Sequence, residues 1–148
     1  MSRGAVEILD LGCGTGLVGQ HLNERGFENV SGVDVSGKML EEAAAKNAYK
    51  SLDQVKLCTD NFLETFPIAH RKKYDFVTAA GLVVNNYMDE KIFEEMLLSL
   101  RNGGIMVFTA RFSYLGNYWY SDKLEELEKL GRIRALGSQE FYKYTNMK

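Results

Sequence analysis

One stretch decides the fold, ILDLGCGTG at residues 8–16. The apolar run over residues 5–10 predicts a short buried strand that leads directly into a glycine-rich turn, and a helix is predicted to begin near Thr15 or Gly16. Glycine has no Cβ and tolerates positive φ, so a ligand can approach the backbone of such a turn closely. The first N–H groups of the helix offer hydrogen-bond donors and partial positive charge. The stretch therefore predicts a nucleotide-cofactor site, which Asp10 at the strand's end is expected to face.

Extended and helical patterns alternate along the rest of the chain. Further strands are predicted over residues 29–35, 54–59, 74–80 and 105–110. One helix is predicted to end at residues 25–26, and a second to span residues 37–47 with Ser36 as its N-cap. A third is predicted to follow Asp89 and to end at residues 102–104, and a fourth to run from Ser121 to Gly131. Such alternation implies an α/β fold with a parallel sheet covered by helices on both faces. We therefore predict one domain over residues 1–148, with a Rossmann-like, doubly wound and mostly parallel sheet.

Composition narrows the classes of partner. The chain has 148 residues, 45% hydrophobic and 26% charged, which is typical of a globular domain and not of a disordered one. Its formal net charge of −2 lacks the basic excess of a nucleic-acid surface. No apolar run approaches the roughly 18 residues of a membrane span, and no signal layout opens the chain. We expect no nucleic-acid or membrane partner and a cytoplasmic or nuclear location.

Cysteines and histidines show no metal-binding pattern. Cys13 and Cys58 lie far apart with no His or Cys near them at ligand spacing, so we expect free thiols and no metal site. Residues 63–73 contain a basic cluster that includes His70 and that we interpret as a solvated surface connection. The sequence offers no partner for His70.

Acidic residues follow the predicted second strand at a spacing typical of nucleotide sites. Asp34 comes 18 residues after Gly16, and an acid at the tip of this strand can accept hydrogen bonds from both ribose hydroxyls. The alternative is a helix cap, which Asp also forms well. Met39 would lie in the next helix's first turn, where its thioether could pack on an adenine ring or simply fill the core.

The predicted third and fourth strands end at the same edge of the sheet. Asp60 could accept a hydrogen bond from an exocyclic amine, while the N–H of Asn61 or Phe62 meets a ring nitrogen; ordinary turn chemistry favours the same residues. Ala79 and Ala80 close the fourth strand. Since ligands of parallel sheets bind outside the carboxyl ends of the strands, all these positions converge on one crevice.

Two cofactor classes fit a glycine turn of this kind. Residues 14–19 match the Gly-x-Gly-x-x-Gly fingerprint of dinucleotide-binding oxidoreductases, with an acid at about the usual distance. Asp10 argues against a pyrophosphate, because its carboxylate would repel phosphate and would suit an ammonium or a sulfonium. Gly12 also sets another register, Asp-x-Gly-x-Gly-x-Gly from Asp10 to Gly16.

The chain resembles class I S-adenosylmethionine-dependent methyltransferases over roughly residues 5–111. The matching pieces come in family order: residues 8–16, residues 32–36 with Met39, residues 60–62, residues 74–77 and residues 100–104. Within the superfamily the chain looks most like the Williams–Beuren syndrome region methyltransferase-like group, on residues 57–59 and the aromatic stretch after the fifth strand.

The resemblance implies S-adenosyl-L-methionine as cofactor and assigns roles around it. The glycine turn would hold the methionyl part, Asp34 the ribose, Met39 the adenine face, residues 60–62 the adenine edge, and Ala79 with Ala80 the floor near the sulfonium. The residues expected to bind the cofactor are Asp10, Gly12, Cys13, Gly14, Gly16, Asp34, Val35, Met39, Asp60, Asn61, Phe62 and Ala79.

The implied reaction is methyl transfer to a small-molecule acceptor. Attack on an activated methyl can rest on proximity and desolvation, without a metal or a covalent enzyme intermediate. No general base stands out, so the catalytic residues stay unassigned, and the absence of an Asn/Asp-Pro-Pro-aromatic signature disfavours methylation of nucleic-acid bases. Candidates for acceptor contact, with lid or core packing as the alternative for the aromatic ones, are Asn85, Asn86, Tyr87, Arg111, Tyr114, Tyr118 and Trp119.

The chain departs from the family pattern at both ends. The first strand begins near residue 5, which leaves no room for N-terminal cap helices, and the residues after Gly131 are few for the usual last two strands. We expect a trimmed chain with an open site. Two alternatives to a methyltransferase remain at this stage, an NAD(P)-dependent oxidoreductase and a non-catalytic S-adenosylmethionine-binding domain.

Overall fold

The computed structural model describes residues 2–84, 88–111 and 119–141. The chain forms two compact units, residues 1–116 and 117–148. The second unit contains the helix α5, Trp119–Lys129, in which Leu127 is buried. The prediction of one domain over the whole chain stays a prediction.

The first unit is a five-stranded sheet with connecting helices. Its elements in chain order are a 3₁₀ turn Arg3–Ala5, β1 Glu7–Leu11, α1 Leu17–Glu24, β2 Asn29–Asp34, α2 Gly37–Ala45, β3 Ser51–Gln54, α3 Phe62–Thr65, a 3₁₀ turn Ile68–His70, β4 Tyr74–Val83, α4 Lys91–Ser99 and β5 Leu100–Ala110. All four strand pairings are parallel, in the order β3-β2-β1-β4-β5. The predicted α/β, Rossmann-like fold is confirmed.

The strand order places a switch point between β1 and β4. The chain moves outward from β1 through β2 to β3, then returns to the other side of β1 as β4. With right-handed crossovers, α1 and α2 lie on one face and α4 lies on the other. The helix α1 contacts β2, α2 contacts β2 and β3, and α4 contacts β4 and β5. Ligands of such sheets bind at the carboxyl ends of the strands beside the switch point.

Apolar side chains bury the centre of the sheet. Leu9 and Leu11 of β1, Val30 and Val33 of β2, and Val77 of β4 are all fully buried. Continuous apolar runs of this kind are typical of strands covered on both faces. Among the described residues no helix is long and apolar enough to cross a membrane.

The prediction for the third strand is wrong. It was placed at residues 54–59, whereas β3 is Ser51–Gln54 and pairs with β2 from Ser31↔Ser51 to Asp34↔Gln54. The apolar residues that suggested the later strand are buried in a loop instead. Cys58 has a φ of +56°, which breaks an extended chain, and its N–H bonds the Glu95 carboxylate on α4 at 3.0 Å.

The observed boundaries of other strands and helices differ from the predicted ones for local reasons. The 3₁₀ turn before β1 delays that strand to Glu7, and Tyr74↔Leu100 pairing starts β5 earlier than predicted, followed by a register shift. The helix α5 starts at Trp119 rather than after Ser121 and ends at Lys129, before Leu130, which is 63% exposed. Residues 132–141 form no strand.

The interpretation of His70 as a surface residue is also wrong. His70 is 3% exposed, with Nδ1 2.6 Å from the Tyr74 hydroxyl and Nε2 2.9 Å from an Asp53 carboxylate oxygen. The 3₁₀ turn that carries His70 turns its ring inward under the sheet, a contact between distant segments that a local charge pattern does not reveal.

Candidate cofactor site

The glycine turn after β1 is built on three left-handed residues. Gly12, Gly14 and Gly16 have φ values of +64°, +54° and +89°. A Cβ on Gly12 would lie 2.5 Å from the Leu82 side chain, which would have to move, and the positive φ would strain any larger residue there. The turn closes through the Gly16 N–H, which bonds the Cys13 carbonyl at 2.9 Å, and α1 begins at the next residue as predicted.

Asp34 ties the turn to the tip of β2. Its Oδ2 accepts the Gly14 N–H at 2.9 Å, and its Oδ1 accepts the Ser36 N–H at 2.9 Å. The residue is 9% exposed. Each carboxylate oxygen has further acceptor capacity after one hydrogen bond, so the group can still receive a ligand hydroxyl.

Asp10 lies inside β1, one residue before its end, and not at the strand tip. It is 1% exposed, and its oxygens accept hydrogen bonds from the Thr78 and Tyr49 hydroxyls, both at 2.8 Å. Burial raises the pKa of Asp10 to about 6; the two hydroxyls oppose this and the neighbouring Asp34 adds to it. Asp10 is therefore a buried charge beneath the turn that can act on a ligand through its electric field.

Tyr49, in the connection from α2 to β3, was missed at the level of sequence. Its hydroxyl accepts the Gly19 N–H at 3.0 Å and donates to Asp10. Its ring occupies the space beside Gly19, where an added Cβ would lie 2.1 Å from Tyr49 Cζ, and it also lies against Gly16 and Gly32. The third glycine of the fingerprint thus makes room for an aromatic ring, and a glycine inside a helix is the one sequence signal that pointed to such a contact.

Apolar side chains remain exposed around the turn. Leu17, Val35 and Met39 are 60%, 59% and 45% exposed. Met39 Sδ lies 3.9 Å from the position of a Cβ on Gly14, so the thioether borders the turn. Its helix starts as predicted, because the Ser36 hydroxyl accepts the Met39 N–H. Exposed apolar surface beside the Asp34 carboxylate is suited to a nucleoside, which has an apolar base and a polar sugar.

The loop after β3 presents the residues predicted to meet the adenine edge. Asp60 is exposed and ion-paired with Lys91 at 3.3 Å, Asn61 is exposed, and the Phe62 N–H bonds the Thr59 carbonyl. The loop is anchored by Glu95, which is fully buried and accepts the Cys58 N–H with both oxygens. Burial raises the pKa of Glu95 to about 7.

The remaining predicted residues are placed unequally. Ala79 is fully buried in β4, whereas Ala80 is exposed, and the role of Ala79 in binding the cofactor stays a prediction. Cys13 is buried, and burial, with Asp10 and Asp34 nearby, raises the pKa of its thiol to about 12.

Of the candidates for acceptor contact, Arg111 directly follows β5 and Trp119 starts α5 in the other unit. The others, Asn85, Asn86, Tyr87, Tyr114 and Tyr118, lie outside the described residues. Within the described ranges no cluster of His, Cys, Asp or Glu side chains could hold a metal ion.

The match to a known family covers the sheet and the turn. Residues 8–104 match the family described as "Methyltransferase domain". The chain belongs to this family. The predicted resemblance to class I S-adenosylmethionine-dependent methyltransferases is thereby confirmed, while the narrower subgroup stays a prediction.

A human protein is similar to much of the chain. It is methyltransferase-like protein 27 of Homo sapiens, which is 33% identical over 134 residues that cover 90% of this chain and 51% of the human protein. The chain therefore spans about half the length of the curated relatives it matches, such as this one.

Solved structures agree on the fold. A TehB-like S-adenosylmethionine-dependent methyltransferase from Corynebacterium glutamicum is 22% identical, with a TM-score of 0.60 over 88% of this chain and 66% of its own. An S-adenosylmethionine-dependent methyltransferase from Mesorhizobium loti is 28% identical, with a TM-score of 0.53 over 74% of this chain and 49% of its own.

Proposed function

We propose that this protein binds S-adenosyl-L-methionine at the glycine turn and transfers its methyl group to a small-molecule acceptor. The observation that carries the choice of cofactor is a pair of carboxylates at the turn. Asp10 lies beneath it with 1% exposure, and Asp34 takes the Gly14 N–H at 2.9 Å. Family membership and the likeness to solved methyltransferases support the same choice.

The paired carboxylates disfavour a dinucleotide. A pyrophosphate is bound by backbone N–H groups and the positive end of a helix. Here the N–H of the middle glycine already donates to a carboxylate, and Asp10 adds buried negative charge below. That field repels phosphate and attracts the ammonium and sulfonium of S-adenosylmethionine. An NAD(P)-dependent oxidoreductase is therefore not favoured.

The described residues fit the remaining parts of the cofactor. The glycine turn would hold the methionyl part, with Asp34 on the ribose, Val35 and Met39 on the adenine face, and residues 60–62 at its edge. In support, Val35 and Met39 offer exposed apolar surface near the Asp34 carboxylate, which is 9% exposed. Ala79, which is fully buried, and Ala80, which is exposed, would line the floor near the sulfonium.

Methyl transfer from this cofactor requires few catalytic groups of the protein. The bound cofactor supplies an activated methyl group with a neutral thioether as its leaving group. The residues of the site then bind and orient the two reactants and keep water away from them, which can supply much of the rate enhancement. A base is needed only where the acceptor must lose a proton. We propose no residue for that role.

The identity of the acceptor is open to a direct experiment. S-adenosylmethionine with a labelled methyl group is incubated with the protein and a deproteinised metabolite extract, and labelled products are separated by chromatography. We expect a labelled small molecule that is absent with the Asp34→Ala variant. Label found only in added RNA, DNA or protein would overturn the assignment of a small-molecule acceptor, and no label in any fraction would favour a non-catalytic binding domain.

A further inference from the structure

A tyrosine hydroxyl bonds the buried carboxylate beneath the glycine turn. Tyr49 donates to Asp10 Oδ2 at 2.8 Å and accepts the Gly19 N–H at 3.0 Å, so its orientation is set from both sides. Thr78 donates to the other oxygen of Asp10 at 2.8 Å. With the carboxylate 1% exposed, water cannot substitute freely for either donor.

We propose that Tyr49 is a positioning residue that keeps Asp10 ionised and thereby makes the site prefer the cationic sulfonium of S-adenosylmethionine over the uncharged thioether of S-adenosylhomocysteine. Because this role of Tyr49 deepens the proposed function, it rests on S-adenosylmethionine being the cofactor. The preference favours exchange of the product for fresh cofactor after each transfer, because the sulfonium charge is lost in the reaction while the ammonium charge is retained.

Among the described residues, the groups that act on the Asp10 carboxyl do so in definite directions. Burial and the Asp34 carboxylate on β2 favour the protonated form, while the Tyr49 and Thr78 hydroxyls favour the ionised form. The Cys13 thiol in the turn has a raised pKa of about 12, and burial also raises the pKa of Tyr49, so both stay neutral near pH 7. Of the groups named, the Tyr49 and Thr78 hydroxyls are therefore the ones that stabilise the ionised form of Asp10.

The size of the effect follows from the position of the Asp10 pKa near 6. A hydrogen bond to a charged group contributes enough to shift a pKa by about one unit. Removal of the Tyr49 hydroxyl should then move the midpoint for S-adenosylmethionine binding from about pH 6 to about pH 7. The loss of affinity would be about fivefold at pH 6 and less than about twofold at pH 8.

The test compares Tyr49→Phe with Tyr74→Phe. Both variants remove one tyrosine hydroxyl from a partly or fully buried ring, but the Tyr74 hydroxyl bonds His70 instead of Asp10. The first readout is the pKa of the Asp10 carboxyl from ¹³C NMR of the protein without cofactor. The second is calorimetric titration with S-adenosylmethionine and with S-adenosylhomocysteine between pH 5.5 and 8.5, each variant compared with wild type at the same pH. Thr78→Val provides an independent removal of the other donor.

We expect Tyr49→Phe and Thr78→Val to raise the Asp10 pKa and, at pH 6, to weaken binding of S-adenosylmethionine more than binding of S-adenosylhomocysteine, which keeps the ammonium but lacks the sulfonium. We expect Tyr74→Phe to do neither. An unshifted Asp10 pKa, or equal loss for both ligands at every pH, would overturn the role of Tyr49 while the proposed function stands. Wild-type protein that binds neither ligand would overturn the proposed function and this role together.

Discussion

Gly19 offers a sharp test of how the turn is supported. It lies in α1 without a positive φ, so the usual expectation is that Gly19→Ala stabilises the helix by about 1 kcal/mol. The structure predicts the opposite. A Cβ there would lie 2.1, 2.4 and 2.5 Å from Tyr49 Cζ, Cε2 and the hydroxyl oxygen, all far inside van der Waals contact.

The expected cost can be worked from the contacts that must change. Overpacking of this kind costs about 1–3 kcal/mol. Displacement of the Tyr49 hydroxyl also weakens its bond to the Asp10 carboxylate, a charge-assisted bond of about 1.5–3 kcal/mol. After the gain in helix propensity, we expect Gly19→Ala to lower the free energy of unfolding by roughly 2–4 kcal/mol.

Urea denaturation followed by far-UV circular dichroism measures this free energy. Gly37→Ala is the matched control, since that helical glycine has no positive φ either and its Cβ would meet Gln54 at an ordinary 3.7 Å. In a Tyr49→Ala background the ring is gone, and Gly19→Ala should become neutral or stabilising. The reasoning is refuted if Gly19→Ala does not destabilise the wild-type protein, or costs the same in both backgrounds.

Three further variants test separate parts of the structure. Because the pKa of Glu95 is raised from 4.5 to about 7, its ionisation destabilises the fold as the pH rises through that window. Between pH 4.5 and 8 the Glu95→Gln variant should therefore gain stability relative to wild type, by up to about 3 kcal/mol. A difference in thermal unfolding that does not depend on pH would contradict this. Met39→Ala should weaken S-adenosylhomocysteine binding about fivefold in calorimetry with little loss of stability, and unchanged affinity would exclude Met39 from the adenine site. His70→Asn should lower the free energy of unfolding by about 1–3 kcal/mol, because it removes the imidazole that bonds both the buried Tyr74 hydroxyl and the Asp53 carboxylate. Cofactor affinity should stay constant; denaturation measures the stability and calorimetric titration the affinity.

The parts of the fold that depend on a few consecutive residues could be predicted from the sequence. The apolar runs around Leu9, Val30 and Val77 predicted the central strands because burial on both faces leaves little freedom in composition. The glycine turn and the Ser36 cap were also predictable, since a positive φ and a capping hydroxyl are requirements of a few consecutive residues.

Contacts between distant segments were not predictable in the same way. Tyr49 reaches Asp10 across 39 residues, and Glu95 reaches Cys58 across 37, so neither appears in any periodic pattern. The third strand was misplaced for the same reason: Val55 still bonds the Asp34 carbonyl of β2 at 2.9 Å, but the chain beyond it is held at Cys58 by Glu95 of α4. The roles given to the cofactor-binding residues stay predictions that the geometry of the turn makes testable.

The central claim is that two carboxylates at the glycine turn select S-adenosylmethionine chemistry over a dinucleotide. Calorimetric titration of the protein with S-adenosylhomocysteine, NAD⁺ and NADP⁺ tests it most directly, with Asp34→Ala beside Asp53→Asn, a control carboxylate that bonds His70. We predict that S-adenosylhomocysteine binds with a Kd of order 10 µM, that Asp34→Ala weakens it at least about tenfold, and that Asp53→Asn leaves it unchanged. Binding of NAD⁺ or NADP⁺ in place of S-adenosylhomocysteine would contradict the account.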